Sequence, residues 1–134
     1  MKRWMLLTIE AVTGLFLLSS PAQGGTVKWK HLPSAKGDLP VPNAGKEQTA
    51  SLVCDIDKDG INDCAIAERT RAPALVWYRR SASGWARSIV EAGPLHIEAG
   101  SDALDIDGDG DYDILDMLYN CQAPRLDIWL NEGP

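Results

Sequence analysis

One segment of this chain occurs twice, and that duplication limits the fold more than any other feature. The copies "SLVCDIDKDGINDCAIA", from Ser51, and "SDALDIDGDGDYDILDM", from Ser101, are displaced by fifty residues without a gap. The similarity continues from "LVWYRR" at Leu75 to "DIWLNE" at Asp127, where the displacement is fifty-two. Periods of about 40 to 50 residues are typical of repeat proteins. The chain is therefore expected to contain two copies of one structural unit.

Each copy has the composition of short β-strands. Apolar and β-branched runs alternate with Gly, Pro, Asn and Asp, and no helical periodicity appears after the first 25 residues. Four such runs in succession predict one antiparallel blade. We expect an all-β fold of two antiparallel four-stranded propeller-like blades, which is a partial β-propeller. The predicted strands are residues 49–53, 64–67, 75–78 and 87–90 in the first unit and 103–105, 114–118 and 126–130 in the second.

The second unit lacks a fourth predicted strand. The segment "VKWKHL", residues 27–32, resembles "GWARSIV", residues 84–90, because in both a Trp precedes an alternating polar and apolar run. An unpaired edge strand invites aggregation, so one interpretation is that this N-terminal strand completes the last blade. The other is that it is an ordinary first strand. The Pro- and Gly-rich residues 33–49 that follow it are expected to form an extended loop.

The first residues have the pattern of a secretory signal. Lys2 and Arg3 precede a largely apolar run that ends at Leu18, and small residues follow where a signal peptidase could cut. A retained N-terminal anchor is the alternative. We expect a signal peptide over residues 1–22, an N-terminal strand and loop over 23–48, a first repeat over 49–98 and an incomplete second repeat over 99–134. The product would be secreted or periplasmic, without membrane insertion after cleavage.

The chain is acidic, and this excludes some partners. The formal net charge of −6 becomes −7 when Lys2, Arg3 and Glu10, together +1, leave with the signal peptide. Because no basic patch is present, neither nucleic acid nor an anionic membrane surface is an expected partner.

The acidic residues form two clusters that have the pattern of a metal site. Carboxylates this close together repel one another unless a cation lies between them. Calcium takes six to eight oxygen ligands, whereas magnesium requires a compact octahedron and fits less well. We predict calcium as the cofactor, with a structural role. The expected ligands are Asp55, Asp57, Asp59, the Ile61 carbonyl and Asp63, and then Asp105, Asp107, Asp109, the Asp111 carbonyl and Asp113.

Two details of these loops follow from the spacing. Gly60 permits the turn that a side chain would obstruct, and the Asp111 side chain is expected to point outward, where it adds only long-range attraction. An acidic turn without metal is the alternative. A third possibility is a loop of the EF-hand or dockerin type, with Asp116 at its twelfth position and a helix over "DILDMLYN". Ile66 at the corresponding position of the first loop is unfavourable to it.

Cys54 and Cys64 flank the first acidic loop, and Cys121 is the third cysteine. If the loop joins two antiparallel strands, Cys54 and Cys64 could form a disulfide, given suitable Cβ geometry. They could equally remain reduced as small buried residues.

Candidates for catalysis are few. His96 and Glu98 would share one face of a strand if the alternation holds, where they could bind a metal or transfer a proton. A His that hydrogen bonds to the neighbouring blade is the alternative. The aromatic residues could form a platform for stacking sugars, although aromatic residues at blade positions usually belong to the core. They are Trp77, Tyr78, Trp85 and Trp129.

Four segments follow one another along the chain: "DIDKDGIND", "APALVWYRR", "GWARSIVEAGPLHIEAG" and "DIDGDGDYDIL". In this order they resemble the FG-GAP or VCBS repeats of secreted bacterial β-propeller proteins. The resemblance implies a calcium-stabilised propeller, usually of seven blades, in proteins that bind or process carbohydrate or mediate adhesion, sugar dehydratases among them. Two blades cannot close a ring. We expect a binding or scaffold module that recognises carbohydrate or another protein chain; a fragment of a carbohydrate-active enzyme, such as a sugar dehydratase or lyase, is the alternative.

Overall fold

The computed structural model describes residues 26–118 and 125–133. The chain divides into an N-terminal segment, residues 1–30, and a compact body, residues 31–134. The expected signal peptide lies outside the described residues. Residues 26–33 form no regular secondary structure, so residues 27–32 do not form the strand predicted there. Among the described residues, no helix has the length and apolar content that a membrane span requires.

The described part of the body contains two antiparallel sheets and a turn of 3₁₀ helix at Ser34–Lys36. The first sheet has the order β1-β2-β3-β4 and the second has the order β5-β6-β7. The prediction of an all-β fold built from propeller-like blades is confirmed, with a second sheet of three described strands. The strands are β1 Gln48–Cys54, β2 Asp63–Glu68, β3 Leu75–Ser81, β4 Gly84–Glu91, β5 Asp102–Leu104, β6 Asp113–Leu118 and β7 Arg125–Trp129.

The register of the first sheet gives it two different faces. Leu52 pairs with Ala65, which pairs with Trp77, so these three side chains share one face, here called the inner face. Cys64 and Tyr78 pair with each other and occupy the opposite, outer face. The inner face contains mostly small or aliphatic residues because another sheet packs closely against it.

The core lies between the inner face of the first sheet and one face of the second. Ile114 and Leu118 of β6 belong to the same buried cluster as Leu52 and Leu75. Full burial of such a side chain stabilises the fold by about 1.5–3 kcal/mol relative to exposure. Ile97, in the segment between the sheets, is also fully buried and pairs with Leu118 in an isolated bridge. The two blades therefore share one core.

The Pro- and Gly-rich segment before β1 packs on the outer face of the first sheet. The Tyr78 hydroxyl donates to the Pro40 carbonyl at 2.7 Å, and the Arg87 Nε donates to the Pro42 carbonyl at 2.9 Å. Asn43 Nδ2 donates to the Pro73 carbonyl at 3.0 Å. The segment predicted as an extended loop thus covers the centre of this face.

The opposite face of the second sheet is not covered by any of the residues that the structure describes. Leu104, Met117, Leu126 and Ile128 project from it and are between 43% and 54% exposed. Met117 pairs with Leu126, and the partly buried Leu115 pairs with Ile128, so these residues are neighbours. We call Leu104, Leu115, Met117, Leu126 and Ile128 the bare face.

The strand pairing aligns the third strands of the two blades, β3 and β7, differently from the sequence similarity, by one residue. Cys64 pairs with Tyr78, and Ile114, fifty residues after Cys64, pairs with Trp129, which is fifty-one residues after Tyr78. The displacement of fifty-two in the sequence is therefore one residue too long. Because side chains alternate along a strand, this difference moves Trp129 to the opposite face from that of Trp77.

Cys54 and Cys64 are free thiols. Val53 pairs with Cys64, and Cys54 pairs with Asp63, so the two cysteine side chains project from opposite faces of the sheet. A disulfide between them is excluded by this register. Burial, with smaller effects from Asp63 and Asp55, raises the pKa of the Cys54 thiol, so it remains protonated at neutral pH. Cys121 lies outside the described residues.

Candidate metal centre

Each acidic loop joins the first two strands of its blade. The first connects β1 to β2 and the second connects β5 to β6, so both loops lie at the same end of their sheets. In each loop, three alternating carboxylates offer oxygen atoms that lie within 4.8 Å of one another. The structure thus brings together six of the predicted side-chain ligands. They are Asp55, Asp57 and Asp59 in the first loop and Asp105, Asp107 and Asp109 in the second.

Backbone amides close the first loop. The Gly60 N–H donates to Asp55 Oδ2 at 2.8 Å, and the Ile61 N–H donates to Asp59 Oδ1 at 2.9 Å. Gly60 has a φ of +86°, a conformation that side chains disfavour. Lys58 also has a positive φ, of 56°. These bonds fold the loop around its own carboxylates, as the sequence pattern predicts.

Two carboxylate oxygens of the first loop have no protein donor. Asp55 Oδ1 and Asp57 Oδ1 are both buried, and neither accepts a hydrogen bond from the described residues. A buried anionic oxygen without a partner is strongly unfavourable. The arrangement fits a bound cation, since a metal ion would satisfy both atoms together. All donors here are oxygen atoms, which is the set that calcium prefers.

The second loop is more exposed, and its carboxylates bind its own backbone more completely. Asp105 accepts from the Gly108 N–H at 2.7 Å and from the Gly110 N–H at 3.0 Å. Asp107 Oδ1 accepts from the Asp109 N–H, and Asp109 Oδ1 accepts from the Asp111 N–H. Asp105, Asp107 and Asp109 are all exposed, whereas Asp55 and Asp57 are partly buried. The two loops share a spacing but differ in environment.

Asp63 and Asp113, the residues predicted to close each site, are buried within the blades. Asp63 accepts from the Trp77 Nε1–H at 3.0 Å and from the Arg80 N–H at 2.7 Å. Asp113 accepts from the N–H groups of Asn131 and Ile106, both at 2.8 Å, and these bonds hold the pKa of its carboxyl below the usual range. Both residues link the start of a second strand to the end of a third.

A carboxylate has about four acceptor positions, so these bonds leave room for a further ligand on each residue. The assignment of Asp63 and Asp113 as metal ligands stays a prediction. So does that of the carbonyls of Ile61 and Asp111.

Two basic side chains contact the acidic loops, and sequence reasoning missed both. Arg79 pairs with Asp57 through its Nε and lies 3.6 Å from Asp59 through its Nη2. Lys58 Nζ, from the first loop, lies 2.8 Å from Asp111 Oδ1 in the second loop. That bond raises the pKa of Lys58. The expectation that the Asp111 side chain adds only long-range attraction is therefore wrong, because it forms a direct ion pair between the blades.

A signal for Arg79 was present in the sequence. It lies two residues after Trp77 on β3, and alternation places it on the same inner face, beside the loop that contains Asp57. The pairing of Lys58 with the other blade had no such signal, since it depends on how the two loops approach each other.

One family model matches part of the chain. Residues 55–115 match the model described as an FG-GAP-like repeat. The match begins at the first acidic loop and ends just after the second. Comparisons with curated proteins and with solved structures find no match of significance.

A cleft between the two blades opens beside the loops. Its volume is about 480 Å³. Trp77 and Trp129 line it together with Tyr112, which sequence reasoning did not select. Arg79 and Asp57 contribute charged groups to the same cleft. Aromatic and hydrogen-bonding groups therefore meet in one concave site, which is the usual form of a small-molecule site.

The four predicted stacking residues do not form one platform. Tyr78 is on the outer face of the first sheet, opposite to Trp77. Trp85 pairs with Arg80, whose guanidinium carbon lies 5.7 Å from the centre of the Trp85 ring. Alternation along β3 and β4 places both residues on the outer face as well. The expectation of a shared platform is wrong for Tyr78 and Trp85.

The structure also excludes the EF-hand and dockerin alternative. Such loops lead into a helix, whereas the residues after the second loop form β6 and pair with strands on both sides. Asp116, the proposed twelfth-position ligand, is fully buried among the strands instead. A strand therefore stands where that alternative needs a helix.

His96 and Glu98 do not form a catalytic pair. They lie in the segment between the blades rather than in a strand, and His96 is exposed. Glu98 forms an ion pair with Arg69, whose Nη1 lies 3.2 Å from the Glu98 Oε1. Among the described residues, no hydrogen bond joins His96 to the neighbouring blade or to Glu98. A nucleophile with an adjacent base is not assembled at this position.

Proposed function

We propose that this protein is an exported, calcium-binding module of the FG-GAP-like repeat class, with a binding or scaffold role. The observation that supports it most directly is the pair of buried carboxylate oxygens in the first loop, on Asp55 and Asp57, that have no donor. The repetition of the same carboxylate spacing in the second loop supports it further. Calcium concentrations outside cells are high enough for modest affinity to suffice.

Calcium would be held by the three clustered carboxylates of each loop, with the predicted carbonyls and Asp63 or Asp113 completing the set. When bound, it would supply positive charge that offsets the repulsion among the carboxylates. The chain's own residues extend the effect, since the Asn131 Nδ2 donates to the Ile56 carbonyl at 3.1 Å and Lys58 reaches Asp111. Ordering of either loop therefore supports the contact between the blades.

The test is thermal unfolding of the chain with calcium and with chelator. Binding to the folded state alone stabilises it by about 2.7 kcal/mol at one hundred times the Kd, so Tm should rise by several degrees with calcium. The double variant Asp57→Ala, Asp107→Ala should lose this rise. Glu91→Ala, which removes one carboxylate far from both loops, is the matched control and should keep it. A Tm that does not respond to calcium would refute the proposal.

The cleft supports carbohydrate as the ligand of this module. Sugar rings present apolar faces that stack on aromatic side chains and hydroxyl groups that bond to charged and amide groups. Trp129 and Tyr112 supply the first kind of group, and Asn131 supplies the second. An enzyme fragment is less well supported, because the described residues place no acid and base pair in the cleft beyond the acidic loops themselves.

This second candidate is tested by titrating the protein with a panel of oligosaccharides and recording Trp fluorescence. Trp129→Ala should weaken binding by about tenfold or more, as expected for loss of a stacking residue of about 1.5 kcal/mol. Trp85→Ala, on the outer face of the other sheet, should leave binding unchanged. Equal losses in the two variants would exclude the cleft as the site.

A further inference from the structure

The two acidic loops have different relations to the basic side chains of the protein. Arg79 contacts two of the three clustered carboxylates in the first loop, Asp57 and Asp59. In the part of the chain that the structure describes, the cluster of the second loop has no such contact, since Lys58 pairs with Asp111 outside it. The two clusters of carboxylates thus differ in whether a basic side chain contacts them.

The strand register explains why the second loop has no equivalent of Arg79. The third strands are related by a displacement of fifty-one residues, so the position of Arg79 corresponds to Leu130. Leu130 lies one residue beyond β7 and lines the same cleft. A basic residue in one blade is thus replaced by an apolar residue in the other.

Arg79 neutralises the first cluster only in part. Its contacts are to the Oδ2 atoms of Asp57 and Asp59. The buried atoms without a donor are the Oδ1 atoms of Asp55 and Asp57. Three carboxylates against one guanidinium leave a net negative charge, which still attracts a divalent cation. A guanidinium and a calcium ion on neighbouring oxygens would repel each other.

We propose that Arg79 is a tethered counter-cation for the first loop, which holds the loop together without calcium and is displaced when calcium binds. This inference rests on the proposed calcium binding. Arg79 is half-exposed and lines the cleft, so its guanidinium has solvent and an open space to move into. Competition between the two cations lowers the calcium affinity of the first loop relative to a loop without Arg79.

The test compares Arg79→Leu, which copies the second blade, with Arg80→Leu. Both variants lose one positive charge from β3, but the Arg80 side chain lies on the outer face against Trp85 and forms no ion pair with either loop among the described residues. The bond from the Arg80 N–H to Asp63 belongs to the backbone and remains in the variant. Calcium titration calorimetry is made in an Asp107→Ala background, which removes a ligand of the second loop, so that the first loop is measured. Arg79→Leu should raise its calcium affinity about tenfold, within the usual range of coupling between sites. Arg80→Leu should change it by less than about twofold, because salt screens the distant charge.

A second measurement uses the same variants without calcium. Arg79→Leu should lower Tm in chelator and enlarge the rise in Tm that calcium causes, and Arg79→Gln should repeat both effects with a polar side chain. If Arg79→Leu and Arg80→Leu both bind calcium with equal affinity, the proposed role of Arg79 is wrong, whereas the proposed calcium binding stands. If neither the wild-type chain nor Arg79→Leu binds calcium, the proposed function fails together with this inference.

Discussion

Asp116 is an ionisable residue at a position where its neighbours on the same face of the strand are apolar core residues. It occupies a position on β6 between Ile114 and Leu118, which are both in the core, and it is fully buried. Ser101 donates to its Oδ1, and its Oδ2 has no partner among the described residues. Burial raises the pKa of this carboxyl to about 7. The charged group that faces it across the sheet, Asp127, has the same sign when ionised.

This carboxyl should make the protein less stable as the pH rises. An Asp in the unfolded chain ionises near pH 3.9, so between about pH 4 and 7 the unfolded state releases a proton that the folded state keeps. The contribution of Asp116 to the free energy of unfolding therefore falls as the pH rises through this window, and it is constant above pH 7. Asp116→Asn should remove this slope and increase stability at pH 8 by about 1–3 kcal/mol, the usual cost of a buried unsatisfied group.

Denaturant unfolding of both proteins at pH 5 and pH 8, with calcium held constant, measures this effect. Asp127→Asn is the matched control: its carboxyl is paired with Arg125 and only partly buried, so the pH slope should persist. A difference between wild type and Asp116→Asn that is the same at both pH values would contradict the prediction.

At the scale of the elements, the sequence predicted each of the seven strands but missed one register. Gly, Asn, Asp and Pro mark the ends of the strands, and these marks are local, so the predicted and observed ranges differ by only a few residues. The register of β7 is not local. It was inferred by aligning Trp129 with Trp77, but pairing with β6 aligns Trp129 with Tyr78 instead. The sequence could not decide whether Cys54 and Cys64 form a disulfide for the same reason, because the answer depends on the register that sets the face of each residue.

The residues of the candidate site likewise divide into those that local sequence predicts and those that depend on the fold. The alternating carboxylates and their glycines were visible in sequence because the ligand set of a calcium loop is contiguous. Lys58 and Tyr112 were not, since their roles depend on contact between segments far apart along the chain. For Arg79 the sequence offered only the alternation along β3. Folding brings Lys58 and Asp111 together although fifty-three residues separate them.

At the scale of the whole molecule, the bare face is a contiguous apolar surface that remains exposed. The corresponding face of the first sheet, with Leu52, Ala65 and Trp77, is the one that packs against the second sheet. Its counterpart in the second sheet has a similar apolar character, but none of the described elements covers it. Contiguous apolar surface of this kind usually marks an interaction site.

We expect the protein to associate through this face in a concentration-dependent way. The double variant Met117→Lys, Ile128→Lys places two charges on the bare face and should remain monomeric, because burying them would be unfavourable. Light scattering of the wild-type chain from low to high micromolar concentration measures the change in mass. Ile89→Lys, at an exposed apolar position of the first sheet, should associate as the wild type does. A monomeric wild-type chain over the whole range would contradict the expectation.

The segment from Pro40 to Gly45 limits what such association can build. In an array of stacked repeats, growth continues while each unit offers one free face and one matching face. Here the matching face is the outer face of the first sheet. Its centre is covered, because Tyr78 and Arg87 bind the carbonyls of Pro40 and Pro42 there. The segment is thus a terminal cap, and copies of this chain that meet by their bare faces form closed pairs rather than filaments.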